Sequence, residues 1–318
     1  MAKYALPSLF IVNLVLCGLF LFWALPQPAG FILSLRGTKL FALLLVGAAT
    51  GMATVIFQTI TQNRLLTPGI VGFDALFVLI QTLLVLFLGG AAVAQLPSHL
   101  VFLVEAVFLL GAALALFGIV LRKGAHDILR LVLTGVICGV LLRGLAGFAQ
   151  RVMEPSEFAV VQQAMFASFN AVPMGQLIFS TLILGLTAAA CWALASQLDL
   201  ASLGRTKATS LGLRYDRLVF IALALVSLLV AVSTALVGPI IFLGLLAASL
   251  AHAITKSHRH AVLLPAAAFI GASILVVGQF IFERLLGLQS TLAVIIEFFG
   301  GLLFLMLVLR RRENDRYS

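Results

Sequence analysis

Charged residues are scarce in this sequence. They make up 10% of its 318 residues, whereas 63% are hydrophobic, and soluble domains carry about 25% charged residues. The composition excludes a soluble globular protein and predicts an all-α integral membrane protein. A membrane-spanning helix takes about 20 mostly apolar residues, so the chain has room for about ten spans. No long polar segment divides it, and we expect one membrane domain over residues 1–318.

Sequence motifs of the common enzyme classes are also missing. The chain has no GxxxxGK(S/T) phosphate loop, no HExxH zinc motif, no nucleophile elbow and no glycine-rich dinucleotide fingerprint. Segment 204–207 resembles a phosphate loop only superficially. The histidines of 258–260 lack a second ligand cluster nearby, which favours a solvated basic loop over a metal site. We therefore predict no catalytic residue, no metal site and no bound cofactor, and a chain that is not an enzyme.

Cysteines and acidic residues are few. Cys17, Cys138 and Cys191 lie inside apolar runs with no CxxC or Cys/His spacing, so we expect them to be packing residues. The 11 acidic and 20 basic residues give a net charge of +9. In a soluble protein this excess would suggest nucleic-acid binding. In a membrane protein it indicates basic cytoplasmic loops, and no nucleic-acid partner is predicted.

Ten apolar runs have about the length of a membrane span. The first is longer than the core of a signal peptide, about 7–15 residues, and no small-x-small cleavage site follows it, so it is predicted to be a span. The eighth is short and begins at Gly238-Pro239, which suggests a preceding half-helix or re-entrant turn. The runs are 6–25, 41–60, 70–88, 100–120, 131–149, 177–195, 218–237, 240–254, 261–286 and 291–309.

The basic residues predict the orientation. With both termini in the cytoplasm, 15 of the 20 basic residues fall on the cytoplasmic side, as the positive-inside rule requires. The longest polar stretch, 196–217, is then cytoplasmic as well. A turn between two spans needs far fewer residues, so we expect this stretch to meet another protein. The remaining basic residues are Arg36, Lys39, Arg143, Arg151 and Arg284.

Two kinds of residue inside the predicted spans are informative. Gly47 with Gly51, and Gly135 with Gly139, have the GxxxG spacing that lets two helix backbones approach closely. Charged side chains within a span are costly, and they indicate either a functional site or a structural position, that is, an internal ion pair or a place near the end of a span. Both interpretations stay open for Asp74, Glu105, Arg143 and Glu297.

The segment 51–72, between the second and third predicted spans, carries a family pattern. Asn63 and Pro68 can break or cap helices, and the glycines at 69 and 72 allow a tight re-entry into the membrane. The segment resembles the signature G-x(6)-Q-x(4)-N-P-L-A-x-P-x(3)-G of FecCD-type permeases, the membrane subunits of binding-protein-dependent ABC importers for iron-siderophores, heme and vitamin B12. The matching residues are Gly51, Gln58, Asn63, Leu65, Pro68 and Gly72, with departures at Arg64 and Leu66.

Further segments resemble the same family in the same order along the chain. They are 133–136, 203–212, 237–245 and 258–272. The sequence departs from the family at Arg205 and Lys207, where glutamate is common, at 248–252, which lacks Pro-His-x-x-Arg, and at 288–291, which lacks a proline. Several ordered motifs together make the resemblance specific over nearly the whole chain.

The resemblance implies the type II ABC importer permease fold and a set of partners. These are a second permease, homologous or identical, two ATPase subunits that bind ATP and Mg²⁺, and an extracytoplasmic binding protein. The family's LG-x(6)-LG segment seats in a cleft on the ATPase, and the alternative is a merely solvated loop. In this chain the corresponding segment would be a pair of short helices within 203–212. Its residues are Leu203, Gly204, Arg205, Thr206, Lys207, Ala208, Leu211 and Gly212.

The resemblance also implies a docking patch and a pathway. Arg36, Lys39 and Arg284 would dock the binding protein, although they could instead contact phospholipid headgroups, and strict alignment favours Glu283 for the third position. The pathway and gate candidates could equally be helix-packing residues. They are Asn63, Leu65, Pro68, Thr134, Gln162, Gln163, Met165, Phe166, Phe169 and Asn170.

The cargo implied by the variant turn 63–68 is a ferric siderophore, of catecholate or mixed catecholate type, and the alternative within the family is heme or cobalamin. That subgroup commonly pairs two different permease chains. The competing hypotheses are a proton- or sodium-coupled secondary transporter that uses Asp74, Glu105 or Glu297, and an intramembrane enzyme, for which the sequence offers no paired catalytic set. The resemblance places the protein in the bacterial inner membrane.

Overall fold

The computed structural model describes residues 2–120, 128–170, 172–285 and 292–314, and within these ranges every regular element is helical. Arg122, Lys123 and Arg316, three of the predicted cytoplasmic cations, lie outside the described residues, as do 286–291. The helices are α1 (Ala2–Phe22), α2 (Ala29–Thr61), α3 (Phe73–Leu88), α4 (Gly90–Gln95), α5 (Ser98–Val120), α6 (Ile128–Val152), α7 (Pro155–Ala164), α8 (Met174–Ala193), α9 (Ala195–Ala201), α10 (Arg205–Ser210), α11 (Tyr215–Val237), α12 (Leu243–Thr255), α13 (His260–Phe280) and α14 (Leu292–Asn314).

Each of the ten predicted spans coincides with a helix. In the described chain, 7 helices are long and apolar enough to cross a membrane: α1, α2, α5, α6, α8, α11 and α13. The shorter apolar helices α3, α12 and the Leu292–Met306 part of α14 correspond to the other three predicted spans. The all-helical membrane architecture is therefore confirmed.

Some predicted boundaries are wrong. Helix α2 begins at Ala29 rather than at residue 41, and its 33 residues extend over about 50 Å. Arg36 and Lys39 therefore belong to a helix and not to the loop before it. The apolar pattern hid this early start because two charged residues interrupt it. Helices α4 and α7 were missed because they are too short to span a membrane.

Helix α2 lies at the centre and packs against α11, α12 and α13. Its GxxxG glycines are in the α13 contact: a Cβ on Gly47 would lie 2.6 Å from the backbone of Gly271, and one on Gly51 would lie 2.3 Å from the carbonyl oxygen of Ala267. Neither glycine tolerates a side chain without displacing backbone. The packing function predicted from the GxxxG spacing is thus confirmed for this pair.

Two breaks in the helices face this core. A 3₁₀ turn, Pro68–Val71, precedes α3, and Gly72 follows it with φ of 106°. Gly238, with φ of 95°, ends α11 before α12 begins. Gly135 and Gly139 of α6 leave room for the first break, since a Cβ on Gly139 would lie 3.1 Å from the Cα of Gly72. The predicted turn before the eighth span is therefore present as a break over residues 238–242.

Candidate functional site

The polar stretch folds as two short helices, α9 and α10. The predicted bounds for this pair are wrong, because α9 precedes Leu203 and only α10 lies within 203–212. Ala195, Leu198 and Ala201 give α9 an apolar face that is buried against the core, which is why these residues continue as a helix after α8 ends. Gly204, with φ of 87°, lies between the two helices.

The exposed side of this pair presents apolar groups among polar ones. Leu203 is 49% exposed and Leu211 is 60% exposed, whereas Ala208 is buried. The Arg205 guanidinium donates to both carboxylate oxygens of Asp216, at 3.2 and 2.9 Å. A forked contact of this kind holds the start of α10 against the start of α11.

Polar contacts tie α9 to the core. Asp199 Oδ1 accepts from the backbone N–H of His260 at 2.7 Å and from its Nδ1 at 2.6 Å, and the Nε2 of that ring lies 2.7 Å from Thr59 Oγ1. The side-chain amide of Gln62 donates to the carbonyl oxygen of Ala201 at 3.3 Å. Thus α9 is joined to the end of α2 and to the start of α13.

His260 corrects a prediction. The basic loop 258–260 was expected to be solvated, yet His260 is 2% exposed and its ring is enclosed by Asp199 and Thr59. Sequence reasoning also missed Asp199, Gln62 and Thr59 as functional candidates. Asp199 gave a signal, as one of only two acidic residues in the polar stretch. Its partner, 61 residues away, could not be identified without the fold.

The predicted inner gate is a tight turn beside this attachment. The Asn63 side chain accepts from the backbone N–H of Leu65 at 3.0 Å, and the Gln58 amide donates to the carbonyl oxygen of Arg64 at 2.7 Å. Pro68 is buried at the start of the following 3₁₀ turn. Two cavities of about 400 Å³ each adjoin the turn, and both are lined by Gln58, Gln62, Arg64 and His252.

The other pathway candidates are scattered. Thr134 is half-buried on α6, Gln162 and Gln163 are exposed on α7, Met165 is half-buried, and Phe166 is exposed. Phe169 is 3% exposed and belongs to the hydrophobic core, as the packing alternative expects. Asn170 is exposed and accepts a hydrogen bond from Lys39 Nζ at 2.8 Å. Of these candidates, burial removes only Phe169 from an accessible surface.

The predicted docking cations lie at the opposite end of α2. Arg36 is 4% exposed, and its guanidinium donates to the carbonyl oxygens of Leu21, Trp23 and Ala24 at the end of α1. Lys39 pairs with Glu283, and Arg284 is half-buried. Arg36 is therefore an internal cap of α1 in this conformation. Any docking role falls to the other two cations.

The four charged residues inside spans have different surroundings. Asp74 and Glu105 are buried, and Gln81 donates to the Glu105 carboxylate. Arg143 is exposed and Glu297 is half-buried. Among the described residues no ion pair joins any two of the four, whereas Asp74 lies in the first turn of α3, near the end of its span. The described residues also contain no cluster of three His, Cys, Asp or Glu that could hold a metal ion.

Comparison with known sequences gives consistent matches. The profile of the FecCD transport family matches residues 12–310. The petrobactin import system permease protein YclO of Bacillus subtilis (strain 168) is 40% identical over 301 residues, covering 95% of each chain. The petrobactin import system permease protein FatC of Bacillus anthracis is 32% identical over 277 residues, covering 87% of this chain and 78% of that protein. The vitamin B12 import system permease protein BtuC of Klebsiella pneumoniae is 32% identical over 306 residues, covering 91% and 86%.

Comparison with solved structures supports the fold. A structure described as an inward-facing conformation of a metal-chelate type ABC transporter matches with a TM-score of 0.84 at 22% identity, covering 97% of this chain and 99% of the other. The PsaBC structure from Streptococcus pneumoniae matches with a TM-score of 0.55 at 16% identity, covering 86% and 90%. The architecture of an ABC importer permease is therefore shared.

Proposed function

Because the chain belongs to the FecCD transport family, we propose that it is the transmembrane permease subunit of an ABC importer that moves a ferric siderophore, of catecholate type, across the bacterial inner membrane. Ferric petrobactin is the first candidate cargo, since two relatives with 40% and 32% identity are named as petrobactin import permeases. A cobalamin importer is the second candidate, on the 32% identity to a vitamin B12 permease.

The observation that carries the proposal is the attachment of α9 and α10. Their outer side exposes Leu203 and Leu211, while their inner side is bonded through Asp199 to His260 and through Ala201 to Gln62. A force applied to α9 by an ATPase would reach the end of α2 through these contacts. That end continues directly into the gate turn around Asn63 and Leu65.

The proposed assembly contains permease, ATPase and binding-protein subunits. This chain would pair with a second permease, homologous or identical, two ATPase subunits would bind α9 and α10 from the cytoplasm, and a binding protein would dock at the end that carries Lys39 and Arg284. ATP and Mg²⁺ belong to the ATPase subunits. Both termini would then be cytoplasmic.

Uptake into cells tests the cargo and the energy source. A strain deleted for this gene is supplied with ⁵⁵Fe-loaded petrobactin, a ⁵⁵Fe-loaded hydroxamate siderophore or ⁵⁷Co-cobalamin, with and without the gene restored. We expect restored uptake of the first alone. Uptake should persist when only the proton gradient is dissipated and stop when the partner ATPase carries an inactivating substitution. Restored cobalamin uptake would identify cobalamin as the cargo instead of a siderophore. Dependence of uptake on the proton gradient alone would contradict the ABC mechanism.

A further inference from the structure

A small polar cavity lies where the two helix breaks meet. Its volume is about 30 Å³, enough for about two water-sized species. It is enclosed by α2, by the 3₁₀ turn before α3, by the last turns of α11 and by the break over 238–242. The lining residues that carry side-chain oxygens are Thr50, Thr54, Thr67, Asp74, Ser233 and Thr234.

Two of these side chains, Ser233 and Asp74, have no hydrogen-bond partner among the described residues. Ser233 is 3% exposed, and its Oγ is buried without a hydrogen bond. Asp74 is 8% exposed and has neither a hydrogen bond nor an ion pair among the described residues. Thr54 donates only to the carbonyl oxygen of Thr50, at 2.9 Å, which leaves the lone pairs of its own oxygen free. A buried carboxyl group in this state avoids a large cost only by protonation or by binding a cation, and a buried hydroxyl is costly without a partner.

We propose that this cavity binds a monovalent cation of about the size of Na⁺. Among the lining side chains every polar atom is an oxygen, the atom that hard cations prefer. Asp74 is the one carboxylate among the lining residues, and a single negative charge balances a single positive one. Ser233 and Thr234 belong to the last turn of α11, where the helix dipole favours a cation. Interrupted helices that line a cavity are a recurrent setting for ions within membranes.

Arg143 is the protein cation that competes for the same carboxylate. It lines an adjoining cavity of about 570 Å³ that Asp74 also borders, but it is exposed and forms no ion pair with Asp74 in the described structure. The bound cation would neutralise Asp74 from the enclosed side. It would also join α2, α3 and α11 across both helix breaks, which gives it a structural function rather than that of a transported ion.

Thermal unfolding of the purified full chain in nanodiscs tests the proposal. Cys191 is 0% exposed, whereas Cys17 and Cys138 are half-buried, so in a Cys17→Ala, Cys138→Ala background a thiol-reactive fluorophore reports when the core opens. Midpoints are compared in NaCl, KCl and choline chloride at equal ionic strength. Saturating Na⁺ should raise the midpoint over choline by about 2–4 °C. Equal midpoints in NaCl and choline chloride would overturn the proposal.

Variants locate the effect. Asp74→Asn should lose the Na⁺-dependent rise, whereas Glu105→Gln, which neutralises another buried carboxyl, should keep it. Arg143→Gln should lower the Na⁺ concentration needed for half of the rise, because a repelling charge is removed. A rise that survives in Asp74→Asn would place the cation elsewhere and overturn the assignment.

Ser233→Ala keeps the test decisive if Asp74→Asn does not fold. If the Ser233 hydroxyl is a ligand, this variant should show a smaller Na⁺-dependent rise than the wild type. A variant that is more stable by the same margin in every salt would mean that the hydroxyl is simply unsatisfied, and that result would contradict its place in the site.

Discussion

The two ends of α2 use their polar groups in opposite ways. At the end near Thr59 and Gln62, hydrogen bonds hold α9 to the core. Leu203 and Leu211, which follow α9 and α10, stay exposed. At the other end, Arg36 donates to backbone carbonyl oxygens and Lys39 pairs with a carboxylate of the same chain. The first end exposes apolar side chains, whereas the second satisfies its own charges. Charge in the sequence therefore does not by itself identify a docking residue.

Arg36→Ala should produce the largest effect, on stability and not on docking. Three hydrogen bonds from a buried guanidinium to the end of α1 would be lost, for about 3 kcal/mol. The unfolding midpoint should fall, while affinity for the binding protein per folded molecule stays unchanged. Arg151→Ala removes an exposed arginine and should leave both quantities unchanged. A lower affinity for the binding protein with an unchanged unfolding midpoint would show that Arg36 is a docking residue.

His260→Ala tests the attachment at the other end. Its ring is 2% exposed and contacts Asp199 and Thr59, so the substitution should cost about 2 kcal/mol. We also expect ATP hydrolysis to continue while siderophore uptake falls several-fold, because α9 no longer moves with α2. Asp199→Asn preserves an acceptor and should behave more mildly than Asp199→Ala. Uptake that declines only in proportion to the amount of folded protein would contradict a coupling function.

Gly204→Ala and Gly212→Ala address the shape of the exposed surface. Both glycines have positive φ, 87° and 85°, and no atom within 4 Å of the position of an added Cβ. The cost is therefore backbone strain without a clash, about 1 kcal/mol each. If the segment relaxes in the free protein, the strain returns on binding, so the ATPase subunit should bind about fivefold more weakly. Gly185→Ala adds a methyl group with no atom within 4 Å and no positive φ, and it should bind normally.

The sequence was sufficient to predict the ten helices, because long apolar runs in a membrane protein have few alternatives. It also indicated the polar stretch, the α2–α13 glycines and the break at Gly238. It could not predict that Arg36 turns inward, because the acceptors lie on a different helix whose end was itself uncertain. The Asp199–His260 contact was hidden for the same reason, since partners distant in sequence become neighbours only through packing.

Glu283→Gln should have the smallest effect on stability and an informative effect on docking. Lys39 and Glu283 are each only 20% exposed at the side chain, but glutamine keeps an oxygen that can accept from Lys39, so the substitution should cost about 1 kcal/mol. Lys39 would keep its bond to Asn170 but lose the competing carboxylate. If Lys39 docks the binding protein, its association rate at low salt should rise a few-fold in Glu283→Gln and fall in Lys39→Gln. Glu154→Gln, which removes an exposed acid, controls for the change in net charge. Slower association in Glu283→Gln would mean that the partner recognises the Lys39–Glu283 pair as it stands, and the two ends of α2 would then both present surfaces rather than only one.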